Sequence, residues 1–354
     1  MIDLIVLRDV GRRQMDYPTV SIVIPNHNGI RLLSTLLSSL RVINYPKFEV
    51  LLVDDDSTDQ SVNFVRKNFP WVKLIEIQSN VGPSEARNRG ISASSAEYTA
   101  FLDNDTKVEE NWLLELVKVV RTNDKIGACV SKNMFLRNMK VIDSAGGVCD
   151  RFGGARSRGT YERDIGQYNV IEEVPFGPTA AMLVKRRILD EIGAFDSDYF
   201  YNFEDVDLCW RIWLSGYRVV YVPSSVTYHA KSATMGKNVL EMFYLAERNR
   251  LLTLMKNFEG LTLLRILPIF FFIRLIYVCA SILKKRPYFC SALVRAIFWN
   301  ITNMRRAIRK RREIQRMRKI SDEHLFRRFF YKNSLDLNDA IMFLRGYRPS
   351  DIWS

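Results

Sequence analysis

Between Thr19 and Asp105, short β-branched runs alternate with stretches of helical periodicity, and three of the runs end in a polar motif. Val20-Ser-Ile-Val-Ile-Pro25 and Phe48-Glu-Val-Leu-Leu-Val53 read as buried strands, as do Val72 to Ile77 and Tyr98 to Leu102. Arg31 to Leu40 sets Leu32, Leu33, Leu36, Leu37 and Leu40 at helical spacing. Ser57 to Phe64 opens a second helix with Asp and Ser available as caps, and Asn80-Val-Gly82-Pro83 turns into a third that runs to about Ile91. Strand and helix in this alternation predict an α/β fold, a parallel sheet with helices on both faces. Ligands of such sheets bind past the carboxyl ends of the strands.

The polar motifs stand at those ends. Pro25-Asn26-His27-Asn28-Gly29 follows the first strand, Asp54-Asp55-Asp56-Ser57-Thr58-Asp59 the second, and Asp103-Asn104-Asp105 the fourth. Two carboxylates one residue apart can share a hard divalent cation, which is usually completed by substrate phosphates. Asp-x-Asp also occurs in plain surface turns, so its neighbours decide between the two readings.

Ile126 to Gly177, rich in glycine (Gly146, Gly147, Gly153, Gly154, Gly159), reads as mobile loops and a short hairpin able to cover a substrate. Thr179 to Val184 is a further strand and Arg186 to Ile192 a helix. Phe203-Glu204-Asp205-Val206-Asp207 begins a helix with an acidic first turn, which suits the positive end of its dipole; capping alone would account for Glu204 and Asp205. Tyr217 to Val222 is one more strand, followed by Val226-Thr-Tyr-His229.

Taken in order, Val-Ser-Ile-Val-Ile-Pro-Asn-His-Asn, Val-Asp-Asp-Asp-Ser-Thr-Asp, Asn-Val-Gly-Pro-Ser-Glu-Ala-Arg-Asn-Arg-Gly, Phe-Leu-Asp-Asn-Asp and Phe-Glu-Asp-Val-Asp-Leu-Cys-Trp-Arg resemble the family 2 glycosyltransferases. These are inverting nucleotide-sugar enzymes with the GT-A fold, and the likeness, from Val20 to His229, is to rhamnosyltransferase-like members. It implies a catalytic domain over 19–236, with a Rossmann-like nucleotide-sugar half (19–125) and an acceptor half (126–236). An N-terminal extension (1–18) precedes it, and a mostly helical, basic, membrane-associating region (237–354) follows.

The implied reaction is metal-dependent transfer of a hexosyl or deoxyhexosyl unit from a nucleoside-diphosphate sugar. UDP or dTDP donors are favoured, and the acceptor is a hydroxyl of a saccharide or polyprenyl-linked saccharide in surface-glycan synthesis. By the resemblance, Pro25, His27 and Asn28 line the nucleoside pocket and Asp54 and Asp55 bind base and ribose. Arg87, Asn88, Asp103 and Asn104 face the nucleotide sugar, and Asp103, Asp105 and His229 hold Mg2+ or Mn2+. Asp205 is the general base, with Glu204 in reserve. One displacement inverts the anomeric carbon. Asp56 departs from the family, which often has glycine there. Other readings stay open for single residues: His27 as a turn residue, Arg87 paired with Glu85 or solvated, His229 as a buried structural histidine. For the whole chain the rival is a non-catalytic nucleotide-sugar-binding or scaffold protein of the same fold.

Composition bounds the partners. A formal charge of +13 could mean nucleic acid, an anionic membrane surface or anionic substrates, but much of it lies in Arg305-Arg306-Ala-Ile-Arg309-Lys310-Arg311-Arg312 and just beyond. No helix-turn-helix, zinc or aromatic RNA-binding pattern accompanies it, which excludes a nucleic-acid reading. Five scattered cysteines without a Cys-x-x-Cys pair suit a reducing cytoplasm, and the N-terminal apolar run is too short for a signal peptide. Lys237 to Phe258 reads as an amphipathic helix. Leu261 to Leu283 is long enough to span a bilayer but carries Arg274 near its middle, where insertion costs about 2.5–3.5 kcal/mol. Lys284-Lys285-Arg286 would also set a single crossing against a cytoplasmic catalytic half. Interfacial helices on the anionic cytoplasmic face of the cell membrane, with arginines reaching phosphates, meet both demands. A soluble helical cap and a pair of spans are the alternatives.

Overall fold

The computed structural model describes residues 17–231, 239–283 and 288–331, so the N-terminal extension up to Asp16 and the Lys284-Lys285-Arg286 cluster lie outside the described residues. The chain runs β1 (Val20–Asn26), α1 (Ile30–Leu40), β2 (Phe48–Asp55), α2 (Ser61–Asn68), β3 (Lys73–Ile77), α3 (Gly82–Ser92) and β4 (Tyr98–Leu102). Then come β5 (Thr106–Val108), α4 (Trp112–Arg121), β6 (Ile126–Phe135), β7 (Asn138–Ser144), β8 (Gly147–Asp150), β9 (Ala155–Ser157) and β10 (Glu172–Glu173). After these follow β11 (Ala181–Lys185), α5 (Arg186–Ile192), α6 (Glu204–Leu214), β12 (Arg218–His229), α7 (Val239–Asn257) and α8 (Gly260–Leu283). The last are α9 (Tyr288–Thr302), α10 (Met304–Met317), α11 (Asp322–Arg328) and β13 (Phe330–Tyr331).

The main sheet has the order β10-β12-β6-β11-β4-β1-β2-β3. Strand residues alternate between its two faces, as the two-residue period requires. Ile22, Ile24, Val50 and Leu52 pack under α1 and α4, while Val23, Leu51, Val53 and Phe101 face α3, α5 and α6. The second core continues without a break into Leu251, Leu254 and Phe258 of α7, Ile266 and Phe270 of α8, and Ala307 and Ile314 of α10.

Sequence reading anticipates most elements between Val20 and Leu102, with one departure there and another beyond Leu102. The second helix starts at Ser61, not Ser57, because residues 54–59 form a polar turn: Asp54 accepts the Ser57 N–H at 3.0 Å, and Asn28 accepts those of Thr58 and Asp59. β1 to β4 are mutually parallel, as expected, and the sheet becomes mixed only beyond them, where β11 runs antiparallel to both β4 and β6. The stretch from Ile126, expected as mobile loops, opens with the ten-residue strand β6, all but its last residue buried between β11 and β12. Its Gly127, Ala128 and Cys129 give little apolar periodicity, but small side chains fit a strand closely covered by α5 and α6.

The C-terminal helices also depart from expectation. On α7, Glu247, Arg248, Asn249, Arg250 and Lys256 are buried, so its polar face is an interior network and not a solvated stripe. Arg274, expected to reach lipid phosphates, is 2% exposed and donates to Glu247 from Nε at 2.6 Å and from Nη2 at 3.1 Å. The narrow polar face of α8 thus turns inward, leaving Leu261, Leu264, Phe271, Phe272, Leu275 and Leu283 exposed.

Candidate active site

β1, β2, β4 and β12 end at one rim. The β5–β12 ladder sets Thr106 opposite His229, and Ala230 N–H donates to the Asp105 carbonyl at 2.9 Å. That register brings His229 Nε2 to 3.1 Å from Asp105 Oδ1 and 3.9 Å from Asp103 Oδ2. Ligand atoms of Asp103, Asp105 and His229 all lie within 4.8 Å of one another. On its other side, His229 Nδ1 donates to Asp143 Oδ2 at 2.9 Å, and Lys231 Nζ stands 3.0 Å from Asp143 Oδ1. Burial opposes charge on His229, yet hydrogen bonds to Asp105 and Asp143 outweigh it and raise the imidazole well above its ordinary range.

These groups line one cavity of about 830 Å3. Its wall carries Pro25, His27, Asp55, Asn80, Pro83 and Arg87 together with Asp103, Asn104, Asp105 and His229 and with Glu204 and Asp205. Asp55 accepts the N–H groups of Val81 and Gly82, both at 2.8 Å, and so fixes the turn that opens α3. Gly82 has φ +81°, and a Cβ there would sit 2.6 Å from the Phe200 ring, which explains glycine at this position. His27 Nδ1 donates to the Asp55 carbonyl at 2.6 Å. Asp56 takes a left-handed φ of +59°, a conformation glycine adopts more readily than aspartate.

Three anticipated ligands stand off the cavity wall. Asp54 spends its oxygens on Asn26 and the Ser57 N–H. Asn28 caps the 57–59 turn, and Asn88 exchanges two hydrogen bonds with the Phe195 backbone, fastening α3 to the loop before α6. Arg87 neither faces solvent nor pairs with Glu85. It is buried, with Nη2 2.6 Å from Asp103 and Nη1 3.0 Å from Glu204.

Glu204 and Asp205 open α6, yet their environments differ. Glu204 is buried and held by Arg87, and burial, only partly offset by that guanidinium, raises its carboxyl. Asp205 is half-buried on the cavity wall; desolvation and then the Glu204 charge push it up to about 7. The loop ahead of them is irregular, with positive φ at Phe200, Asn202 and Phe203. It is tied down from α7: Asn249 Nδ2 lies 2.9, 2.8 and 2.6 Å from the carbonyls of Tyr199, Tyr201 and Asn202. Arg248 Nη2 donates to Asp198 and Tyr199 carbonyls, each at 2.8 Å.

Sequence reading missed Asp143, Lys231, Arg248 and Asn249 as members of this assembly. Asp143 sits on a strand with no distinctive pattern, and the α7 residues looked like an ordinary polar face. A run of four polar residues, 247–250, inside a helix with apolar neighbours on every side was the available signal.

Residues 21–193 match the model of glycosyl transferase family 2. The chain carries a family 2 glycosyl transferase domain. Among curated relatives, the poly-beta-1,6-N-acetyl-D-glucosamine synthase of Staphylococcus epidermidis is 26% identical over 223 residues, 61% of this chain and 51% of that protein. The pre-mycofactocin glycosyltransferase of Mycobacterium tuberculosis is 30% identical over 219 residues, 59% of this chain and 42% of that one. The chain spans about half the length of the curated relatives it matches. Among solved structures, GalNAc-T7 with UDP, GalNAc and Mn2+ superposes with a TM-score of 0.59 at 19% identity, covering 81% of this chain and 58% of that one. The mannosyltransferase PcManGT from Pyrobaculum calidifontis with GDP-Man and Mn2+ gives 0.51 at 18%, covering 85% and 86%. At such identities the likeness is one of fold, and the fold is GT-A. The matched family 2 segment stops at 193, whereas Glu204, Asp205 and His229 lie beyond it, joined to the domain through the sheet and α6.

Proposed function

We propose that the protein transfers a sugar from a nucleoside-diphosphate sugar to an acceptor hydroxyl with inversion, using a divalent cation at Asp103, Asp105 and His229. The observation that carries this reading is the single cavity joining Asp55 and His27, the Asp103–Asp105–His229 cluster, and Asp205. The donor set suits Mg2+ or Mn2+: two carboxylates and one imidazole, whose far nitrogen is already engaged by Asp143. A cation bound there supplies Lewis-acid neutralisation of the leaving diphosphate. Pro25, His27 and Asp55 bound the nucleoside. Asp205 takes the proton of the acceptor hydroxyl while its oxygen bonds to the anomeric carbon. The bond from that carbon to the diphosphate oxygen breaks, and its electron pair leaves with the nucleotide. Glu204, tied to Arg87, is the poorer base.

The test is calorimetric titration of the full chain with UDP, dTDP and GDP, with and without Mn2+, beside Asp105→Ala. Metal-dependent binding of UDP or dTDP, lost in the variant, is expected; a folded protein that binds none of the three overturns the reading.

The same reading seats the protein on the cytoplasmic face of a membrane, lying on it and not through it. Support comes from the outward apolar residues of α8 together with Val294, Phe298 and Ile301 of α9, followed at once by exposed Arg305, Arg309 and Arg312 on α10. Co-sedimentation with phosphatidylglycerol vesicles, weakened by salt and by Leu264→Asp with Phe272→Asp, is the expected result. Equal binding to neutral vesicles in high salt would remove the electrostatic part.

A further inference from the structure

A basic helix holds the start of the loop that leads into Glu204. On α10, Lys310 Nζ meets both Asp196 and Asp198, the latter at 2.5 Å, and Arg306 Nη1 donates to Asp198 Oδ1 at 2.6 Å. From α7, the buried Lys256 Nζ reaches Asp196 Oδ2 at 2.5 Å. Burial would raise the Asp196 carboxyl, but Lys256 and Lys310 outweigh it and hold it well below its ordinary range. On its other side this turn meets α3: Ser197 Oγ donates to Glu85 at 2.6 Å, and the Ser84 N–H donates to the Phe200 carbonyl at 3.3 Å. The next residues, Phe200 to Phe203, line the cavity directly ahead of Glu204 and Asp205.

Three faces of α10 have three different surroundings. Ala307 and Ile314 enter the core, and Arg311 donates to the carbonyls of Met255 and Phe258 where α7 ends. Arg306 and Lys310, one turn apart, make the face on Asp196 and Asp198. Arg305, Arg309, Arg312 and Arg316 are four, three and four residues apart, so they fall in one stripe, and all four are exposed. The same spacing runs back through the outward Ile301, Phe298 and Val294 of α9. An anionic bilayer offers phosphates to the arginines and acyl chains to the apolar residues, whereas a nucleic acid answers only the first. A surface that takes the stripe leaves Arg306 and Lys310 on their carboxylates, since they stand on another face.

We propose that α10 is a latch on residues 196–203, with Arg306 and Lys310 as positioning residues, and that an anionic bilayer engaging the arginine stripe tightens it. The proposal rests on the membrane and transferase readings above and adds a physical link between them. Docking at the membrane fixes α10, α10 fixes the turn at Asp196 and Asp198, and the turn fixes the approach to the proposed base.

The test is hydrogen–deuterium exchange of the full chain, read by mass spectrometry at residues 196–203, in buffer, with phosphatidylglycerol vesicles and with phosphatidylcholine vesicles. Phosphatidylglycerol is expected to slow exchange there and phosphatidylcholine to leave it unchanged. Arg306→Met with Lys310→Met is expected to speed it about tenfold or more in buffer, with β1 to β4 as protected as in the parent, and to abolish the response to vesicles. Arg306→Lys with Lys310→Arg is expected to restore both. Arg305→Ser with Arg309→Ser and Arg312→Ser changes exposed residues only, and is expected to exchange like the parent in buffer and to ignore the vesicles. Parent-like protection in the methionine variant overturns the proposal, as does phosphatidylglycerol that speeds exchange. Equal slowing by duplex DNA also overturns it, by making the stripe a general site for polyanions. Vesicle sedimentation and UDP–Mn2+ titration of the same samples separate the claims. Protein that stays off the vesicles removes the membrane reading and the latch's tightening with it; a slowed loop without nucleotide binding removes only the transferase reading; a protein that sediments and binds nucleotide with its loop unmoved removes only the proposal made here.

Discussion

The Arg87 guanidinium donates to Glu204 at 3.0 Å across a buried contact, pinning α3 to the first residue of α6. Because the same group also meets Asp103, one guanidinium links the proposed metal ligands to the proposed base helix. Taking it away leaves buried carboxylate facing nothing. Arg87→Ala is expected to cost about 3–5 kcal/mol, read from urea unfolding. Arg87→Met combined with Glu204→Gln removes both charges and is expected to regain much of that loss. A double variant as unstable as the single one would show that the pair is not its source.

Asp205 should set the pH dependence. A base works only when ionised, and this carboxyl is pushed up to about 7 by burial and then by Glu204. Turnover is therefore expected to rise with pH through about 7 and level above it, and Asp205→Asn to lose the inflection along with about 10²–10⁴-fold in rate. Stability runs the other way. The folded value lies above the ordinary 3.8, so this carboxyl's contribution is full below that pH and is lost as pH rises through about 7. Asp205→Asn should accordingly gain on the parent in thermal unfolding at about pH 8 and not at about pH 3.5.

Asp143 acts through His229. Its carboxylate accepts the Nδ1 proton, which directs Nε2 toward Asp105, and Lys231 balances its charge. Asp143→Asn keeps the shape and removes the charge. Mn2+ affinity, followed by electron paramagnetic resonance, is expected to fall about 10–100-fold with near-ultraviolet dichroism unchanged. Unaltered affinity would leave Asp143 a purely structural partner.

Asn249 holds three carbonyls of the loop that leads into Glu204. Positive φ at Phe200, Asn202 and Phe203 is a conformation non-glycine residues leave when released. Asn249→Ala is expected to cost about 1–3 kcal/mol and to speed hydrogen exchange at residues 199–205 while nucleotide binding persists. Protection as strong as in the parent would show that the loop holds itself.

The sequence displays the first half of this fold because its physics is local there. β1, β2 and β4 are apolar runs that each terminate in the motif they position, so strand and ligand are read together. The remainder depends on pairing between distant segments. No periodicity marks β6, whose Gly127-Ala-Cys129 stretch is apolar but small, and nothing near Asp143 signals that a β6–β7 ladder with an irregular register carries it to His229. Asp54, Asn28 and Asn88 show the converse limit: residue types suited to a ligand have polar atoms engaged by neighbouring turns and loops, which the sequence does not display. Arg274 looked like a charge seeking lipid phosphate because its partner, Glu247, stands on another helix.

The β5–β12 ladder that seats His229 beside Asp105 bears on how the protein is made. A ribosome releases Asp105 long before His229, and Asn249 follows later still. During synthesis the N-terminal side can fold first, as early segments do, but it lacks one candidate metal ligand and the helix that steadies the loop ahead of Glu204. A half-made chain therefore lacks two of the parts on which the proposed transfer would depend.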